Sequence, residues 1–243
     1  MAVGAAMDLA QKAFCGYMLL CGSIFVFAPQ MPTTDTFGSL EKSPEAFGVS
    51  CIYAQVVGCL MFMMLFQQCP GPRGLLLAIG ALGAMMAKHI LVDGLVPPPP
   101  AMLFAGVTFC AAAVSGMEDM GEHKNRVGTY VFAGWQLIQM ALFATQPEQM
   151  LKDSYPDISG EALTIGLVWC EVIAMESLMN ALLQCPGALG RAMAFTANVA
   201  MMAKHIIVDS LYPPPPVMLL GGVVFVLSWH AQLTAAPVKE AKA

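Results

Sequence analysis

Long apolar segments, separated by short polar ones, recur along the whole chain of 243 residues. A helix needs about 20 predominantly apolar residues to cross a bilayer, and eight segments reach or approach that length. They are residues 8–28, 47–67, 74–96, 101–117, 127–146, 163–183, 190–212 and 217–233. The pattern predicts an all-α, polytopic integral membrane protein with eight transmembrane helices. It also predicts a polar loop after the first and after the fifth of them.

The eight segments form two sets of four because the chain contains an internal duplication. Residues 68–109 align without gaps on residues 184–225, and 26 of the 42 positions are identical. The duplication predicts two four-helix membrane repeats, residues 1–120 and 121–243. An even number of helices per repeat means that both repeats enter the membrane in the same direction. The two bundles are then parallel, related by an axis along the membrane normal.

The composition supports a membrane protein, because 58% of the residues are hydrophobic and only 11% are charged, whereas soluble domains carry about 25% charge. The chain has no cluster of lysine and arginine that would suggest nucleic acid as a partner. The predicted partner is the lipid bilayer. Most basic residues fall on one predicted side, namely Lys12, Arg73, Lys124, Arg126, Arg191, Lys239 and Lys242. The positive-inside rule places this side in the cytoplasm or, if the membrane belongs to an organelle, in the compartment equivalent to the cytoplasm.

The third predicted helix of each repeat ends in the pattern Lys-His-x3-Asp. The residues are Lys88, His89 and Asp93 in the first repeat, and Lys204, His205 and Asp209 in the second. An ionisable group within the bilayer needs a partner or a water-filled cavity. One interpretation is a structural polar cluster, and another is a site that binds or translocates a small molecule or ion. A metal site built from the histidines and aspartates is a third, although the adjacent lysines argue against a bound cation.

The second helix of each repeat supplies polar groups at the depth of these lysines. Counting from the helix starts places Gln55 level with Lys88, and Glu171 level with Lys204. A lysine buried in hydrocarbon is costly without a counter-charge. We therefore expect Lys204 to contact Glu171 or Asp209, with His205 in the same polar cluster.

The two repeats differ in a second polar pair, deeper in the membrane. Glu176 and Asn198 lie at one level in the second repeat, whereas the first repeat has Leu60 and Leu82 at these positions. The repeats therefore share a scaffold without sharing a polar interior. A functional cavity, if the protein has one, is expected in the second repeat.

The order of these features resembles the DoxX-like family of four-helix membrane proteins. The matching stretches run from Cys69 to His89 and from Cys185 to His205, each with a proline-containing turn, a small-residue-rich helix and a Met-Ala run that leads to histidine. In this resemblance Glu171 matches the acid of the second helix. The four-proline runs, the lysine before the histidine and the tandem arrangement depart from the family. Because the family is functionally diverse, the resemblance implies a fold and no activity.

Two functions follow from this reading. The first is a multi-pass membrane protein that binds or translocates a small molecule or ion through the duplicated Lys-His-x3-Asp face. The alternative is a non-catalytic membrane subunit or assembly factor of a larger membrane complex. No phosphate-binding loop or nucleophile motif is present, so an enzyme is not expected. The sequence identifies no cofactor.

Overall fold

The computed structural model describes residues 8–38, 43–69, 72–94, 106–107, 110, 127–185, 187–211 and 215–234. Within these ranges the chain forms nine α-helices. They are α1 (Leu9–Phe27), α2 (Gln30–Phe37), α3 (Pro44–Phe66), α4 (Pro72–Leu91), α5 (Val127–Thr145), α6 (Pro147–Ser154), α7 (Gly160–Leu182), α8 (Ala188–Ile207) and α9 (Pro215–Thr234). The all-α prediction is confirmed for this part of the chain.

Seven of the eight predicted segments coincide with helices, namely α1, α3, α4, α5, α7, α8 and α9. The remaining segment, 101–117, lies almost entirely outside the described residues. Five helices are long and apolar enough to cross a membrane, namely α1, α3, α4, α7 and α9. By length and composition the chain is therefore a helical, membrane-embedded protein.

Two short helices stand where polar loops were predicted. In α2, Thr33 is fully buried, and its Oγ1 accepts a hydrogen bond from Ser50 Oγ at 3.0 Å. Ser50 Oγ in turn accepts one from Trp169 Nε1 at 2.7 Å. In α6, Leu151 packs so closely on Gly166 that a Cβ there would lie 2.7 Å from the leucine Cδ2. Both short helices are thus held against the long helices that follow them.

The helices α4 and α8 end earlier than predicted, since segments 74–96 and 190–212 were expected. Beyond Leu91 and Ile207 the backbone turns back, and the amides of Asp93 and Asp209 bond the lysine carbonyls of the last helical turn. A residue with positive φ follows each aspartate, Gly94 at 68° and Ser210 at 54°, and such a residue commonly ends a helix. Both lysines therefore lie roughly 5 Å from a helix end, closer than the sequence suggested.

The helices α3 and α7 pack against each other at the centre of the bundle. Their first halves are joined by the Trp169–Ser50 hydrogen bond, and their last turns by Gln67 Nε2 donating to Asn180 Oδ1 at 2.5 Å. The two helices therefore run in the same direction, as a parallel duplication requires.

Five helices form a closed ring. Within it α1 packs on α3, α3 on α7, α7 on α8, α8 on α9, and α9 on α1. Outside the ring, α4 packs on α3, and α5 packs on α7. The contacts between α1 and α9 and between α3 and α7 cross residue 120, where the sequence predicted the boundary between two repeats.

The contact between α1 and α3 depends on glycine. A Cβ at Gly58 would lie 2.8 Å from Phe25 Cβ, 2.8 Å from Val26 Cγ2 and 3.0 Å from the carbonyl oxygen of Gly22. Small residues let helix backbones approach closely in a lipid environment, where packing replaces the hydrophobic effect as the attraction between helices. Gly58 thus sets the position of α1 in the ring.

Candidate functional site

The ring of five helices surrounds a partly open cavity of about 270 Å³, to which α2 also contributes residues. Most of the lining side chains are apolar or aromatic, including Phe25, Met61 and Trp169. The polar side chains in the wall are Tyr17, Cys21, Asp35, Thr36, Glu176, Asn198 and His205. An apolar cavity with a few convergent polar groups is the usual form of a small-molecule site.

The deeper polar pair of the second repeat faces this cavity. Glu176 on α7 is 2% exposed and Asn198 on α8 is 4% exposed, and both belong to the cavity wall. Among the described residues, Glu176 Oε2 has no hydrogen-bond partner. The counterparts in the first repeat, Leu60 and Leu82, are buried core residues. The cavity thus lies at the membrane depth that the sequence predicted for Glu176 and Asn198.

His205 connects the cavity to the polar cluster at the end of α8. Its ring is 5% exposed and lines the cavity, and its Nδ1 lies 2.7 Å from Asp209 Oδ2. Hydrogen bonds from Lys204 and then from His205 hold the pKa of Asp209 below its usual value. The ionised carboxylate can only accept, so Nδ1 donates to it. Nε2 has no partner among the described residues.

Lys204 is paired and does not line the cavity. Its ammonium donates to Glu171 and to Asp209, the latter at 2.9 Å. The side chains of Lys204 and Glu171 are 41% and 44% exposed, on the outer surface of the bundle. The predicted Lys-His-Asp face is therefore divided, because His205 lines the cavity whereas Lys204 closes an ion pair outside it.

The same cluster contains the group that could hold a metal. One ligand atom each from Glu171, His205 and Asp209 lie within 4.8 Å of one another. The Lys204 ammonium contacts both carboxylates, however, and already supplies the compensating positive charge. An ammonium in that position opposes a second cation electrostatically. The geometry therefore favours an ion-pair network at this point.

The first repeat holds a smaller version of this network. Lys88 Nζ donates to Gln55 Oε1 and to Asp93 Oδ2, both at 2.6 Å, and His89 Nδ1 lies 2.6 Å from the same Asp93 oxygen. Burial would raise the pKa of Asp93, but the hydrogen bonds from Lys88 and His89 outweigh it and lower the pKa. Gln55, Lys88 and His89 border a second cavity of about 490 Å³, whose described lining contains no carboxylate.

Helix α1 contributes two residues to the site that the sequence did not predict. Tyr17 and Cys21 are 4% and 1% exposed and lie in the cavity wall. Their spacing of four residues is the signal of a common helix face. That spacing could have identified an inward face of α1, but the partner of this face depends on a contact between distant parts of the chain.

Comparison with protein families, curated proteins and solved structures finds no match to this chain. By length and composition the chain is a helical, membrane-embedded protein, and its helices surround a partly open, mostly apolar cavity.

Proposed function

We propose that this chain is a multi-pass membrane protein of eight transmembrane helices, in two parallel-related repeats, that binds a small and mostly apolar molecule. The observation that carries the proposal is the cavity of about 270 Å³ inside the ring of α1, α3, α7, α8 and α9. Ligand sites in proteins are typically concave, mostly apolar and supplied with a few oriented polar groups.

The polar atoms of the cavity wall support binding over packing. Glu176 Oε2 and His205 Nε2 are buried and have no partner among the described residues. A buried polar group left without a hydrogen bond costs roughly 1–3 kcal/mol. A ligand that bonds to these atoms would recover that energy, whereas a purely structural cavity gains nothing from them.

Filling the cavity tests the proposal. Val172 lines the cavity and is partly accessible, so Val172→Trp should occupy much of its volume. Val56, the equivalent residue of the first repeat, lines neither described cavity, and Val56→Trp is the matched control. Mass spectrometry of the gently solubilised protein should detect a retained small molecule in the wild type and in the control. Val172→Trp should lose it.

Two results would contradict this function. One is retention of the same molecule at equal occupancy by Val172→Trp. The other is wild-type protein that retains no small molecule and gains no thermal stability from any added apolar compound. Bound ligand raises the stability of the native state by mass action, so a true site should show a shift.

A second function, a non-catalytic subunit of a larger membrane complex, has one observation in its favour. The Lys204–Glu171 pair is over a third exposed on the outer surface of the bundle, and charged groups that face hydrocarbon are costly. A partner subunit that covers this pair would remove the cost. Native electrophoresis of mildly solubilised membranes separates the two functions, since this one requires an assembly much heavier than the 25.8 kDa chain.

A further inference from the structure

Glu176 is a carboxyl group enclosed in the cavity wall without a cationic side chain. It is 2% exposed, and the lining formed by the described residues contains neither lysine nor arginine. The ammonium of Lys204 is engaged by Glu171 and Asp209 in the outer cluster. A buried carboxylate is normally paired, because removing an isolated charge from water is expensive. The counter-charge for Glu176 must therefore come from a proton or from the molecule in the cavity.

The scaffold does not need an acid at this position. The first repeat holds Leu60 and Leu82 where the second holds Glu176 and Asn198, and all four residues are buried. Leucines at the same two positions give a well-packed core. The polar pair thus has no packing role that leucine could not fill, which favours a role toward a ligand.

The cavity offers polar atoms at two levels. Seven residues separate Asn198 from His205 on α8, which is roughly 10 Å along the helix axis. Glu176 is level with Asn198, and His205 Nε2 is buried without a partner among the described residues. Trp169 comes seven residues before Glu176 on α7, so it lies near the level of His205, and Phe25 packs on it with ring centroids 6.0 Å apart. The cavity wall is therefore aromatic at the end away from Glu176, which suits the apolar body of a ligand.

We propose that the ligand of this cavity is a lipophilic amine, an inference that rests on the proposed small-molecule function. The protonated amine pairs with the Glu176 carboxylate. The apolar body of the ligand lies along the aromatic and methionine side chains toward His205. An ammonium–carboxylate pair is a charge-assisted hydrogen bond, which is stronger than one between neutral groups. A ligand anion would instead place two negative charges together.

Three probes of similar size test which ligand charge the cavity prefers. Phenethylamine carries a cation, phenethyl alcohol is its neutral analogue, and phenylacetate is an anion. Titration calorimetry on the full chain in nanodiscs should show phenethylamine binding about tenfold or more tightly than the other two, as expected for one well-formed charged hydrogen bond. Glu176→Gln should reduce the affinity for the amine to that for the alcohol, and should leave the alcohol within about twofold.

Two variants make the result interpretable. Glu171→Gln removes a carboxylate from the outer cluster and should leave the preference for the amine unchanged. If Glu176→Gln fails to fold, Glu176→Leu introduces the residue that the first repeat already carries at Leu60, and it should remove the preference in the same way.

The outcomes separate this inference from the function on which it rests. Equal affinity for the amine and the alcohol, or an amine affinity that Glu176→Gln leaves unchanged, overturns the amine and leaves the small-molecule function standing. Tighter binding of phenylacetate overturns the amine as well. If no probe binds and Val172→Trp behaves like Val56→Trp, both the amine and the binding function are lost.

Discussion

Substitution of Gly58 by alanine tests whether α1 is positioned by its contact with α3. The added Cβ would lie 2.8 Å from both Phe25 Cβ and Val26 Cγ2, whereas carbon atoms in contact are about 3.5–4.0 Å apart. The helix α1 must therefore withdraw by roughly 1 Å along this contact, since the obstructing atoms lie at or near its backbone. Tyr17 and Cys21 would move with it, away from the cavity.

Two opposing effects set the size of the change. Overpacking a well-filled core costs about 1–3 kcal/mol, while alanine is preferred over glycine inside a helix by up to about 1 kcal/mol. The net expectation is that Gly58→Ala lowers the free energy of unfolding by about 1–2 kcal/mol. Gly48, on the same helix, has no atom within 4 Å of its added Cβ. Gly48→Ala should therefore leave stability unchanged or raise it by up to about 1 kcal/mol.

Unfolding in mixed micelles, followed by circular dichroism at increasing denaturing detergent, measures both variants. If the proposed binding function holds, a ligand should also bind more weakly to Gly58→Ala, because part of the cavity wall withdraws. If Gly58→Ala is as stable as Gly48→Ala, the close approach of α1 and α3 does not hold α1 in place, and the reasoning fails.

Three further outcomes follow from the polar cluster at the end of α8. In a double-mutant cycle, Lys204→Met and Glu171→Gln should show a coupling energy of about 1 kcal/mol or less, because the ion pair is partly exposed near a helix end. A coupling energy above about 3 kcal/mol would mean that the pair is buried. Ser210→Gly should raise the unfolding free energy by roughly 0.5–1 kcal/mol, since glycine adopts the positive φ of this residue without strain. A loss of stability would contradict that account. The lowered pKa of Asp209 contributes stability that is present above the usual aspartate pKa and is lost as the pH falls through the lowered value. Asp209→Asn should therefore flatten the acid side of a plot of melting temperature against pH. An unchanged acid side would be inconsistent with the bonds of Asp209 to Lys204 and His205.

The long helices could be predicted because hydrophobicity along the sequence is a local property. The level of Glu176 and Asn198 was predicted from a constant rise per residue from two helix ends, and both residues line the same cavity. The contact between Lys204 and Glu171 required one further assumption, that consecutive helices are adjacent and antiparallel. The structure contains that contact.

Other features depend on more than local pattern. The segment that forms α2 is short and polar, and it folds because Thr33 meets Ser50 after the chain has turned back. The early ends of α4 and α8 depend on turn geometry around Gly94 and Ser210, which hydropathy does not register. The position of α1 beside α9 depends on a contact between residues far apart in the chain, and no periodicity within α1 encodes it.

The contact between α1 and α9 also fixes when the cavity can exist during synthesis. Roughly 190 residues separate these helices, which a ribosome that adds about 5–20 residues per second takes roughly 10–40 s to translate. Throughout that interval α1 is already made while its last neighbour is still missing, so one side of the nascent ring stays open to lipid. The cavity is therefore closed on this side only when α9 is in place, so it is among the last parts of the described fold to form.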